Sequence, residues 1–273
     1  MKKLVTISIA LFATVFSLTA QEDSYTTTKR RAQLSSDTMT VDLMVIPANS
    51  KMYSSYFDRQ MTEANKMNFE VMQDTILASL ADQVALAFND SIPSGVILES
   101  KSGYPEDMNF VFESIEYKYD LLPEPKKDES TINRWKKKVY KKEPKPEPRK
   151  GTYMEGGQIV SNPETKPRYT NIAVLNSDFL YLLNKRHNAT TFVFINHYEM
   201  VIPTEVSQID IQSDNYPRII RVHYTIVDVE GKQINSGIVT LNSSSYDDKL
   251  DYLIGTSFFE LGKSIRSNLS ESK

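Results

Sequence analysis

Cysteine is absent from all 273 residues. That excludes a thiol nucleophile, a disulfide framework and any thiolate metal site, so a folded core has to hold by packing alone. It also excludes the lipidated cysteine of a bacterial lipoprotein. Only nine glycines are present, none in a phosphate-cradling loop; Gly156-Gly157 reads as a turn. No G-x-S-x-G element offers a serine nucleophile, and no S-x-x-K opens a helix in the folded part. Three histidines leave little for metal chemistry. Beyond the first twenty residues, no run is long and apolar enough to span a bilayer, which takes about 20 residues.

The first twenty residues do carry a pattern. Met1-Lys2-Lys3 is positive, Leu4 to Leu18 runs without a charge, and Thr19-Ala20 precedes the polar Gln21-Glu22-Asp23. This is the order of a cleavable export signal, although Leu18 replaces the usual small residue three before the cut. Cleavage is expected after Ala20, giving a soluble protein in the periplasm or outside the cell. The net charge of −3 becomes −5 without Lys2 and Lys3, so overall charge gives no reason to expect nucleic acid as a partner.

Residues 21–40 are polar and read as a mobile leader. Val41–Ile46 is the first strand, stopped by Pro47, and Ala48–Glu63 reads as a long loop. Phe69, Met72, Ile76, Leu80, Val84 and Phe88 repeat at the helical period and predict a helix from about Asn65 to Phe88. Gly95–Glu99 reads as a short strand. Pro105-Glu106-Asp107 opens a second helix whose stripe runs through Met108, Val111, Phe112, Ile115, Tyr119 and Leu122. Residues 123–168 contain seven prolines and read as an inserted loop or linker. Asn171–Leu175 is a strand, and a helix capped by Asn176 or Ser177 reaches about Arg186. Thr191–Ile202, Arg218–Val229 and Lys232–Leu241 form a meander turning at Glu230-Gly231. A last helix, capped by Ser244 or Ser245, carries Leu250, Leu253, Ile254, Phe258, Leu261, Ile265 and Leu269.

The expected fold is therefore α/β, of mixed α+β character. A mixed β-sheet of about five or six strands packs against amphipathic helices. A single domain spans 41–122 and 169–270, interrupted by one long basic insertion at 123–168.

A strand, a long amphipathic helix, and Arg221–Gly237 (RVHYTIVDVEGKQINSG) leading into a C-terminal helix resemble small exported bacterial α/β proteins. They are similar to the periplasmic modules of the CsgG, LpoB and TolB N-terminal type, in which a phrase like Asp228–Gly231 turns into a Gly-x-x-x-x-x-Gly segment. The resemblance covers about 41–120 and 169–269 and implies an envelope accessory or binding role without catalysis. No residue role is carried over. The lipidated cysteine of the characterised lipoproteins is missing here.

Two groups of residues stand out. Lys126–Lys150 holds eleven Lys or Arg against four acids, with Arg134, Trp135, Lys136, Lys137, Lys138 and Tyr140 at its centre. An aromatic among lysines suits an anionic lipid surface, an envelope polymer or an acidic envelope protein. The ordinary reading of the same stretch is a solvated, proline-bounded spacer, which leaves Trp135 and Tyr140 unexplained. The second group is His197, Glu199 and His223. If their strands pair, they form a small polar cluster, with His197 and Glu199 on the face of Val193 and Ile195 and His223 beside Arg221 and Thr225. Half-exposed sheet residues are the ordinary reading; a metal or proton-transfer site is the rival. No cofactor and no metal are expected. The expected function is macromolecular binding in the cell envelope, with an enzyme at the histidine cluster or a small-ligand carrier as alternatives.

Overall fold

The computed structural model describes residues 41–97, 106–122, 151–162, 167–213, 216–244 and 248–271. It has the mixed α/β architecture expected, built on a six-stranded mixed sheet. The predicted signal, leader and basic core of the insertion, including Arg134, Trp135, Lys136–Lys138 and Tyr140, lie outside the described residues. Among the described residues no helix is long and apolar enough to cross a membrane.

The first strand, β1 (Leu43–Ile46), is buried on both faces, as a central parallel strand must be. A short turn at Ser50–Met52 follows, then β2 (Tyr53–Ser55) and helix α1 (Asp58–Asn65). The sequence predicts a plain loop here; β2 is only three residues and α1 has too short a stripe to announce itself. Lys66, left-handed at φ 54°, ends α1, and the Asn68 side chain accepts from the Val71 N–H to start α2 (Phe69–Asn89). The predicted helix thus begins four residues late, behind a proper N-cap. β3 (Ser94–Val96) returns parallel to β1.

Helix α3 (Glu106–Glu113) is shorter than the stripe predicts. Strand β4 (Ile115–Leu121) replaces its second half. Ile115, Tyr117, Tyr119 and Leu121 also alternate at period two, and their β-branched and aromatic side chains favour a strand. The switch is at Ser114, whose N–H bonds back to Phe110 and Val111 and whose carbonyl accepts from the backbone of Leu175 and Asn176.

Two compact units divide the chain: residues up to Lys118 with Thr170 onward, and Tyr119–Tyr169. In the smaller unit the loop prediction fails in part. Strands β5 (Gly151–Glu155) and β6 (Gln158–Asn162) form a hairpin in register Tyr153↔Val160. Gly156 and Gly157, both at positive φ, make its two-residue turn, the conformation such hairpins require.

In the larger unit, β7 (Arg168–Val174, from Thr170) leads to α4 (Asp178–His187). The meander follows as β8 (Thr191–Val201), β9 (Pro217–Asp228) and β10 (Gln233–Ser244), with a short helix α5 (Gln208–Gln212) before β9. The sheet order is β10-β9-β8-β1-β3, with β2 also on β8. β8 is parallel to β1 and antiparallel to β9. The C-terminal helix opens at Leu250–Tyr252, widens into a π turn at Leu253–Ser257 and continues as α6 (Phe258–Glu271).

The sheet separates two cores. On one face Leu43, Val45, Val193, Val222 and Ile226 meet α2 and α6. On the other Met44, Ile46, Phe192, Phe194 and Val227 meet α3 and α4.

Candidate functional site

Alternation along β8 breaks at Asn196. Ile195 pairs with Tyr224 and His197 with His223, so Asn196 is an extra residue. A bulge of this kind shifts the in–out pattern by one. Val193 and Ile195 face the first core, and beyond the bulge Tyr198 and Met200 do so instead. His197 and Glu199 are therefore moved to the opposite face, contrary to the sequence expectation. There they join Arg221, His223 and Thr225. Asn196 itself donates to the Thr170 carbonyl at 2.9 Å and to Thr225 Oγ1 at 2.7 Å.

The structure brings His197, Glu199 and His223 together, their ligating atoms all within 4.8 Å of one another. The two imidazole rings meet edge to face at 5.2 Å. Glu199 lies 3.3 Å from His197 Nδ1, 3.9 Å from His223 Nε2 and 3.5 Å from Arg221 Nη1. Burial pushes His223 down to about 4. The pull of Glu199 opposes the shift, and His197 and Arg221 add to it. Burial also lowers His197, again against Glu199.

One bond decides what this cluster can do. The backbone N–H of Thr170 donates to His223 Nδ1 at 2.8 Å. A neutral imidazole has one donor and one acceptor nitrogen. With Nδ1 accepting, Nε2 carries the proton and points towards Glu199. Metal-binding histidines have the reverse arrangement, a bare nitrogen on the metal and an N–H given to an acceptor. General-base chemistry likewise needs a free lone pair. His223 has none to offer while Thr170 holds Nδ1, so this residue fits a structural polar role better than that of a metal ligand or general base.

A second feature lies at the carboxyl ends of the parallel strands, where sequence reading placed only a loop. The chain leaves β1 towards α2 on one face of the sheet and leaves β3 towards α3 on the other. Adjacent parallel strands whose connections part in this way leave a crevice between them. It is present here, with a volume of about 520 Å3, lined by residues 47–50, by Asp74, Leu77 and Ala78 of α2, and by Met108, Asn109 and Phe112 of α3. That volume is within the roughly 300–1,000 Å3 of small-molecule sites.

The crevice walls are braced. Asn49 accepts from the Lys51 N–H through its side chain and from the Met52 N–H through its carbonyl. Gln73 of α2 donates to the Ser50 carbonyl at 2.9 Å. Tyr117, its phenol pushed up to about 12 by burial, makes a hydrogen bond with the Asn49 backbone. Asp107, buried at the start of α3, pairs with Arg186 of α4. The signal that locates the crevice in sequence is the polar turn Pro47-Ala48-Asn49-Ser50 directly after a buried strand in a β–α–β unit.

No protein-family model matches the chain, and no curated protein or solved structure matches it.

Proposed function

We propose that the protein is an exported, non-catalytic binding protein whose α/β body holds a small organic ligand in the crevice at the ends of β1 and β3. The crevice carries this reading: a braced, mixed polar and apolar recess at the point of the fold where open α/β sheets bind ligands. Export is supported by the Lys2-Lys3, Leu4–Leu18, Ala20 pattern. The absence of catalysis is supported by the missing nucleophile motifs and by the tautomer imposed on His223. The reading as an envelope partner of macromolecules rests on the export signal, the family resemblance and the missing catalytic motifs; its candidate contacts, Arg134–Tyr140, lie outside the described residues.

The test is a ligand-observed NMR screen of small aromatic and aliphatic fragments against the purified protein and against Ala78→Phe, which fills the crevice. Fragments that bind the natural chain and are lost from the variant support the reading. A screen in which every hit binds both proteins equally places the site elsewhere and refutes it.

A further inference from the structure

We infer that the ligand of this crevice is an organic amine or other small cation with an apolar body; the inference rests on the ligand-binding reading above. Among the described lining residues Asp74 alone carries a charge. Its carboxylate stands on α2 one turn after Glu70, which shares its stripe of the helix at i, i+4 spacing. No Lys, Arg or His belongs to the described lining, so an anionic ligand would meet a carboxylate and no counter-charge. Leu77 and Ala78, one turn on from Asp74 along α2, and Met108 and Phe112 of α3, beside the neutral amide of Asn109, can cover a hydrocarbon or aromatic body. Three loop acceptors are already used, since Asn49 Oδ1, the Asn49 carbonyl and the Ser50 carbonyl each hold an internal hydrogen bond. Among the described lining residues Asp74 is the one ionised acceptor, beside the neutral Ser50 hydroxyl and Asn109 amide.

Asp74 is itself solvent-exposed, which limits its contribution. An exposed charge pair changes affinity by about two- to fivefold, weakening with salt. The crevice should therefore prefer an amine to its uncharged isostere by that factor, and to the matching acid by about tenfold. Shape and apolar contact supply the rest of the binding.

Phenethylamine, phenethyl alcohol and phenylacetate are nearly the same size and differ in charge. Each is titrated at neutral pH and low salt, by NMR shift perturbation, into the natural chain, Asp74→Asn and Ala78→Phe. The expected order is amine, alcohol, acid; Asp74→Asn equalises the three and leaves alcohol binding unchanged, and Ala78→Phe weakens all of them. An acid that binds as tightly as the amine, or an amine preference that survives Asp74→Asn, overturns the charge inference and leaves the crevice reading standing. If none of the three binds, or if Ala78→Phe binds them as the natural chain does, the crevice reading fails and the inference with it.

Discussion

Thr170 and His223 are joined by a single hydrogen bond, backbone N–H to Nδ1 at 2.8 Å, and the bond makes His223 a proton donor that resists taking a second proton. To become an imidazolium, His223 would have to put a proton on Nδ1, against the Thr170 N–H. It would do so in a site where its side chain is 6% exposed.

A pH dependence follows. In the unfolded chain His223 takes up its proton near 6.5, whereas in the folded protein it does so only near 4. Between these values the unfolded state binds more protons, so acid favours unfolding. The contribution of His223 is intact above about pH 6.5 and is lost as pH falls towards 4, on the order of 3 kcal/mol across the window. His223→Asn, which places an amide oxygen where Nδ1 stood to accept from Thr170 and removes the titration, should show a flatter fall of melting temperature from pH 7 to 4. Equal slopes for both proteins would rule out His223 as the source.

The same tautomer bears on metal. His197, Glu199 and His223 are close enough to hold a divalent ion, yet His223 Nε2 has no lone pair free while Nδ1 accepts from Thr170. Zinc titrated by calorimetry at neutral pH should give no saturable heat attributable to this cluster. A tight one-to-one isotherm that disappears in His223→Gln would show that the Thr170 bond yields to the metal.

Asn196, the unpaired residue of the bulge, should tolerate both substitution and removal at a measurable cost. Asn196→Ala loses two side-chain hydrogen bonds and leaves the Thr170 carbonyl and Thr225 hydroxyl short of a donor, a cost of about 1–3 kcal/mol. Deleting Asn196 removes the bulge but keeps both faces, because Ile195 stays opposite Tyr224 and His197 becomes its regular neighbour opposite His223, leaving Tyr198 and Met200 in the first core. Urea denaturation should give a cooperative, shifted transition for the substitution. The deletion should also unfold cooperatively, with His197 still opposite His223; a deletion that abolishes folding would show that the bulge itself is needed.

These cases show where sequence reasoning succeeds and where it stops. The β8-β9-β10 meander, α2 and the C-terminal stripe are long and strongly periodic, and they fold as expected. The meeting of His197 with His223 could be anticipated because neighbouring antiparallel strands usually pair. Their face could not, because Phe-Val-Phe-Ile-Asn-His-Tyr contains no Gly or Pro to mark the bulge. Ile115–Leu121 satisfied both the helical and the strand period, and the choice was made by Ser114 bonding to Leu175, sixty-one residues away. The crevice is legible only after topology is known, since it depends on α2 and α3 leaving opposite faces.

Gly262 supplies a direct test of how tightly the first core is closed. It lies in α6 where that helix crosses α2. A Cβ built there meets Ala87 Cβ at 2.8 Å, Val84 Cα at 3.0 Å and the Gln83 carbonyl at 3.1 Å. Two of these neighbours are backbone atoms, so relief requires moving a helix. In an open helix, Gly→Ala stabilises by about 1 kcal/mol. Here overpacking, typically costing about 1–3 kcal/mol, opposes that gain. Gly262→Ala should therefore be destabilised by about 1–2 kcal/mol in urea denaturation, while Gly255→Ala, which meets nothing within 4 Å, should be neutral or stabilised. A stabilised Gly262→Ala would mean that α2 and α6 can separate without cost, and the close contact between them would then not be a source of the fold's stability.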